Sequence, residues 1–285
     1  MASRREIRRR IRSVKNLAQI TKAMQMVAAS RMRRAQARVT ASRPYAEAMR
    51  DVVAQLGARS GAREHPVLKE REVRTVELVT ITPDRGLAGA LVTNINRASA
   101  RFVDGQTVPV RVVVVGRKGR TFAARAGFDL VAAFQDLGDS PTLAEVGPIA
   151  HQVLDDFSNG VVDRVNLAFT RFHSTLRQTP EIIQLLPAQP PELPAGASPW
   201  NFEPDEPDAV LDVLLPRYVE SVIFQAMLEA KASEQSARMV AMSNATDNAN
   251  EMVGDLTLDM NKARQAEITK EIAEIATAAG AVTSR

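Results

Sequence analysis

The stretch MSNATDNANEMVGDLTLDMNKA, residues 242–263, decides how the chain must be built. Its apolar positions Met242, Ala245, Ala249, Met252, Leu256, Met260 and Ala263 return in steps of three and four, and Ile268, Ile272 and Ile275 carry the series on. A helix with this spacing presents a narrow apolar seam of the coiled-coil kind. The helical pattern runs over residues 208 to about 280, after the Pro-rich run 187–207. At 1.5 Å per residue such a helix is about 105 Å long, against roughly 30 Å for one that crosses a small domain. Most of it is therefore expected to leave its own domain and to need a partner.

The first segment supplies one. Ser3 followed by Glu6 spells a capping-box start, and Ile7, Ile11, Val14, Ala18, Thr21, Gln25, Ala28, Met32, Ala35 and Val39 keep heptad spacing. A second stripe, Leu17, Ile20, Met24 and Val27, makes this section apolar nearly all round, as in helices covered from several sides. One partner helix cannot cover both stripes. Charge complements the pairing. Asp247, Glu251, Asp255 and Asp259 recur every four residues, a like-charge row costing a few tenths of a kcal/mol per pair, on the order of 0.2–0.5, unless cations stand nearby. In an antiparallel pair facing positions keep a near-constant sum, so Arg8 is expected opposite Asp259, Arg12 opposite Asp255 and Lys15 opposite Glu251, at a sum of 266 or 267.

Between the two rods the period changes. Residues 73–82 predict a strand, Pro83-Asp84-Arg85-Gly86 a turn and 87–103 a helix. The β-branched run 110–115 is of the kind buried on both faces of a parallel sheet, and it is followed by Gly116-Arg117-Lys118-Gly119 and a short helix through Ala126. Residues 129–134 predict a strand, 142–157 a helix, and 161–172 and 181–186 two further strands. Arg43-Pro44 is expected to kink the first helix or mark a turn in its surface, and 57–66 to form its exit loop. Strands alternating with helices imply an open sheet with right-handed crossovers. The expected fold is a long antiparallel coiled coil of N- and C-terminal helices, 1–56 and 208–285, with an inserted open α/β (Rossmann-like) domain and its Pro-rich connector at 57–207. There is no internal repeat or low-complexity tract.

Composition narrows the function. With 45% hydrophobic and 25% charged residues in 285, the chain has the make-up of a globular protein. Cysteine is absent, so disulfides and thiol-based metal or redox sites are excluded, which fits a reducing compartment. His65, His151 and His173 are far apart and lack ligand spacing. No window of 18 apolar residues and no apolar run after the basic start predicts a membrane span or secretory signal. The Arg-rich start imitates an organellar transit peptide, but its helical pattern continues through Arg31, Arg33, Arg34 and Arg38 without a break.

Asp84-Arg85-Gly86-Leu87-Ala88-Gly89 stands at a strand-to-helix turn, where backbone N–H groups can cradle a phosphate. The full dinucleotide fingerprint and the Gly-x-x-x-x-Gly-Lys-Ser/Thr loop are both missing, so tight-turn geometry is the favoured reading, there and at 116–119. Asp155-Asp156 reads as the polar face of a helix, and no catalytic constellation is visible. The basic first helix fits nucleic-acid phosphates, yet only 4% of residues are aromatic, which leaves few stacking platforms. A nucleotide-dependent α/β enzyme and a nucleic-acid-binding coiled coil are the competing classes.

With both ends in view, the chain resembles the gamma subunit of rotary F-type ATP synthases. The resemblance is carried by Arg5-Glu6-Ile7-Arg8, by ITKAMQMVAAS at 20–30, by Asp84-Arg85-Gly86-Leu87, by Ala232-Ser233-Glu234-Gln235 with RMVAM at 238–242, by Ala245-Thr246-Asp247-Asn248-Ala249 and by Asn261-Lys262-Ala263-Arg264-Gln265. Ala88-Gly89-Ala90 departs from the family's usual Cys or Gly-Gly variant. The resemblance implies a single asymmetric shaft in a ring of three alpha and three beta subunits. It places the α/β domain as a foot on the membrane c-ring beside the epsilon subunit. ATP, ADP and Mg2+ would belong to alpha and beta, with no cofactor or metal on this chain, no catalysis by it and no nucleic acid. Arg264 and Gln265 would contact a loop of one beta subunit, and Met24 and Arg238 would lie near the beta segment that pushes the shaft. The implied location is peripheral, on the cytoplasmic face of a bacterial cell membrane.

Overall fold

The computed structural model describes residues 4–57, 65–188 and 207–283. Its elements are α1 (Arg4–Gly57), β1 (Val76–Ile81), α2 (Leu91–Asp104), β2 (Val110–Val115), α3 (Arg117–Ala126), β3 (Asp129–Phe134), α4 (Leu143–Ser158), β4 (Arg164–Phe172), β5 (Gln178–Leu186) and α5 (Pro207–Thr283). The Ser3 cap and nearly all of the Pro-rich connector lie outside the described residues.

Two compact units divide the chain: Met1–Val27 with Met239–Arg285, and Ala28–Arg238. These limits fall inside both terminal helices, whereas the sequence suggested divisions at their ends. The physical reason is burial. Leu211, Leu215, Val219, Ile223, Ala226 and Met227 of α5, with Val53 of α1, share one apolar cluster with sheet residues Val79, Val113 and Leu167 and with α4 residues Ile149, Val153 and Phe157. Each such side chain contributes about 1.5–3 kcal/mol on burial, which makes these parts of α1 and α5 core rather than appendage.

In the larger unit the strand order is β3-β2-β1-β4-β5, parallel except for β5, which pairs antiparallel with β4 through a hairpin. Val113 and Val115 point to the α4 and α5 side and Val112 and Val114 to the α3 side, which is why the run had to be apolar throughout. Pro180 is tolerated in β5 because that strand is an edge. β1 begins three residues later than its pattern suggested, and so does β4. The Asp163 carboxylate accepts the N–H groups of Arg74 and Thr75, and the Asp163 N–H donates to the Thr75 carbonyl, so these residues tie the two strand entrances together. Likewise α2 starts at Leu91, because Leu87 and Gly89 take left-handed conformations with φ of 61° and 57°. Thr142 and Glu145 form a capping box at the start of α4. Pro44 sits within α1, which continues to Gly57. In this unit α1 meets α5 through Ala35, Val39, Leu228 and Ala232, and the Ser42 hydroxyl donates to Gln225.

The smaller unit is a two-helix seam. Ile7, Ala18 and Thr21 of α1 and Met242, Thr246 and Ala249 of α5 are buried. The Thr21 and Thr246 hydroxyls pair at 2.8 Å, and Gln25 Nε2 donates to Ser243 Oγ at 3.1 Å. Facing numbers sum to 267 or 268, so the helices are antiparallel. The later isoleucines leave the pattern: Ile268, Ile272 and Ile275 are exposed. At a sum of 267 the first residue of α1, Arg4, faces Ala263, so α5 outruns its partner beyond that point.

Candidate functional site

In a doubly wound sheet the place for a ligand is the crevice at the carboxyl ends of the strands, where the order reverses. Here that point lies between β1 and β4, and α5 fills it. The space left among Thr82, Asp84, Thr170, Met227, Lys231 and Glu234 is about 20 Å³, room for one water. Over one and a half turns, α5 bonds to the end of β4 and to the loops around it. Ser233 Oγ donates to the Thr170 carbonyl, Ser236 Oγ to the Thr175 carbonyl and Lys231 Nζ to the Leu137 carbonyl. Gln235 Nε2 donates to Asp139, whose carboxylate also pairs with Arg31 at 2.6 Å. Glu234, nearly buried, is flanked by Arg238 at 2.8 Å and Lys231 at 3.6 Å. Arg238 also donates to the Gly86 carbonyl and so pins the 84–87 turn.

The N-terminus of α3, the other candidate phosphate cradle, is spoken for. The Gly116 N–H donates to the Phe134 carbonyl, Arg117 N–H to Asp84, Lys118 N–H to the Pro83 carbonyl and Gly119 N–H to Thr82 Oγ1. Four successive donors are satisfied by the protein itself. Gly116 has φ +99°, and a Cβ there would sit 2.0 Å from the Thr82 carbonyl oxygen, so the glycine serves a close backbone approach. Among the described residues there is no His, Asp and Glu grouping able to hold a metal, and no helix is long and apolar enough to cross a membrane.

What remains is surface. On the two-helix unit, Leu17, Ile20, Met26 and Val27 are 53%, 57%, 61% and 52% exposed although the seam beside them is filled. Leu17, Ile20 and Val27 share one face of α1 and form a patch of the kind that marks a protein interface. Met24 is half-buried on the same face, whereas Met26, also exposed, lies on a different face of the helix. Arg264 and Gln265 are exposed on α5. Arg238 is instead internal, engaged with Glu234 and Gly86.

The six residues expected to form ion pairs along the seam, Arg8, Arg12, Lys15, Glu251, Asp255 and Asp259, are all exposed, and among the described residues none of those pairs is made. The bond at that end joins Arg4 to Glu267 at 3.4 Å. The expected register agrees with the Thr21–Thr246 contact, but the acidic row points away from the seam and keeps its water. Sequence reading also missed Glu77. Wholly buried on β1 near Arg111 of β2 and Asp156 of α4, its carboxyl is pushed up to about 8, first by burial and then by Asp156, with Arg111 opposing. A lone charged residue inside an otherwise uncharged strand, VELVTI, was the available signal.

Comparison with known proteins bears on this surface. A family model described as ATP synthase matches residues 3–282. The ATP synthase gamma chain of Dehalococcoides mccartyi is 50% identical over 99% of this chain and 100% of its own length. That of Chloroflexus aurantiacus is 51% identical over the whole of both. Among solved structures, a chain from the Euglena gracilis mitochondrial ATP synthase (OSCP/F1/c-ring, rotational state 3) matches with a TM-score of 0.69 at 19% identity, covering 98% of this chain and 94% of that one. One from the Tetrahymena thermophila mitochondrial ATP synthase central stalk and c-ring matches with a TM-score of 0.63 at 24% identity, covering 79% and 99%. These two share the fold. Matched almost end to end by the family model and half identical over its full length to curated gamma chains, the chain belongs to the ATP synthase gamma-chain family.

Proposed function

We propose that this chain is the central rotor shaft of an F-type ATP synthase, coupling proton flow through a membrane rotor to ATP synthesis on partner subunits. The observation that carries this reading is the exposed stripe Leu17, Ile20 and Val27, with half-buried Met24 among them, on a helix pair whose own seam is already filled. Such a stripe is sheathed by foreign subunits, three alpha and three beta, while the sheet unit serves as the foot on the c-ring beside epsilon. One shaft in a threefold ring meets no two partners alike, so it favours a different conformation in each. Reversing a site from 1:99 to 99:1 takes about 5.5 kcal/mol of differential interaction, which is better spread over many contacts than placed in one. The exposed surface charges Arg8, Arg12, Lys15, Asp255 and Asp259 suit that work, because exposed ion pairs are worth about 0–1 kcal/mol each and exchange at every step without locking the rotor.

In this reading the chain is not itself catalytic, and ATP, ADP and Mg2+ are held by alpha and beta. The filled crevice at the strand ends and the occupied donors of residues 116–119 support this. Met24, Arg264 and Gln265 face beta, while Arg238 acts indirectly by holding the 84–87 turn. The complex places the chain peripherally on the cytoplasmic face of a bacterial membrane. The test is copurification from the native membrane. The reading expects one copy with three copies each of two larger ATP-binding subunits. A chain recovered alone that turns over ATP would overturn it, and so would salt-dependent nucleic-acid binding retained by the intact chain.

A further inference from the structure

Within the larger unit, α1, α5 and β4 enclose a partly open cavity of about 230 Å³ that the rotor reading does not use. Phe169, Ile183 and Val222 give it an apolar lining. Its polar groups divide into two sets. Arg171 is committed to Glu181 at 2.9 Å and Glu229 at 3.7 Å, and Gln225 to Ser42 and Glu229. Arg43 and Arg50 of α1 and Tyr218 and Ser221 of α5 make no side-chain hydrogen bond or ion pair among the described residues, although all four line the cavity. Tyr218 is largely sheltered, which raises its phenol, and Arg50 is close enough to oppose that rise. Glu47, also unpaired, stands between the two arginines, so the uncommitted charge is +1.

We infer that this cavity binds a small amphipathic anion, a flat apolar body seated on Phe169 and Ile183 with its acid group held by Arg43 and Arg50 and by the Tyr218 hydroxyl. Small-molecule sites are typically about 300–1,000 Å³, mostly apolar with a few convergent polar groups; this one lies just below that range and has that composition. Uncommitted guanidiniums beside an apolar wall favour an acid group over a neutral ligand, because hydrogen bonds to charged groups are the stronger ones.

The experiment uses the full chain at micromolar concentration, with saturation-transfer NMR titrations of phenyl phosphate and benzoate. Inorganic phosphate serves as the charge-only control and benzyl alcohol as the ring-only control. Saturable binding of at least one aromatic acid is expected, with both controls weaker by about tenfold or more. Phosphate-selective binding names a phosphate monoester, and equal binding names acids in general. Arg43→Gln and Arg50→Gln should each weaken binding about tenfold, and Tyr218→Phe roughly threefold. Both arginines are exposed, so an unchanged circular dichroism spectrum is expected of their variants. No saturation by either acid up to roughly 10 mM, about 2.7 kcal/mol of standard affinity, overturns the proposal. Equal binding by the double arginine variant overturns it as well. The site lies wholly within residues 28–238, so its failure leaves the copurification test of the rotor reading untouched.

Discussion

Replacing Glu77 with Gln should abolish a pH dependence that the structure builds into the sheet. The Glu77 carboxyl is wholly buried, and burial lifts its pKa from 4.5 to about 8, with Asp156 adding to the rise. Between those values the folded chain holds a proton that the unfolded chain has released. Stability therefore falls as pH rises across the window and is flat below about 4.5 and above about 8. Each pH unit inside the window costs about 1.4 kcal/mol, so of order 5 kcal/mol is at stake in all, and about 3 kcal/mol between roughly pH 5.5 and 8. Gln keeps the shape and does not titrate. Hydrogen exchange of the β1 amides reports the free energy of opening the sheet, whatever the terminal helices do. Relative to the variant, wild-type β1 should lose protection by somewhat more than about a hundred-fold as the pH is raised across that range. Parallel pH profiles for the two proteins would show that Glu77 is ionised inside the fold and that the reasoning is wrong.

Gly119→Ala puts a methyl 2.7 Å from Thr82 Oγ1 and Val114 Cγ1, and it should destabilise by about 1–3 kcal/mol in urea unfolding of the sheet unit. Arg238→Met leaves Glu234 with only Lys231 at 3.6 Å, and it should cost about 3 kcal/mol, recovered in part by adding Glu234→Gln; unfolding midpoints of the single and double variants check this. Met24→Lys adds a charge beside the exposed stripe and should lower proton pumping per ATP in reconstituted vesicles more than it lowers assembly, an expectation that unchanged pumping would sink. The isolated chain should self-associate through Leu17, Ile20 and Val27, and light scattering should fall when Ile20→Glu and Val27→Glu are introduced together.

The fold of this chain is legible in its sequence because its periods are local and long. Heptad steps from Ile7 to Val39 and from Met242 to Ala249, and the β-branched run 110–115, each report which face of an element is covered, and side-chain periodicity follows directly from backbone geometry, although Met252 farther along the series is exposed. Strand and helix identities followed from those periods. The strand entrances did not, because residues 73–75 and 161–163 carry strand-like composition but spend backbone groups elsewhere: Arg74 and Thr75 bond to Asp163, and the Val161 and Val162 N–H groups donate to the Asp156 carbonyl.

The functional surface divides along the same physical line. Two apolar stripes on one helix, with a single partner available in the chain, showed from sequence alone that foreign subunits must cover the second. Charge complementarity is weaker evidence. It located the antiparallel register near a sum of 267 but not the pairs, because solvated carboxylates gain little by leaving water and the seam was closed by Thr21, Thr246, Gln25 and Ser243 instead. Only tertiary structure could decide that α5 fills the crevice at the strand ends, that Asp84, Pro83 and Thr82 take the donors of residues 117–119, and that Glu77 is sealed beside Asp156. Each joins residues far apart in the chain, and no local pattern encodes which distant group will arrive to satisfy a buried donor or acceptor.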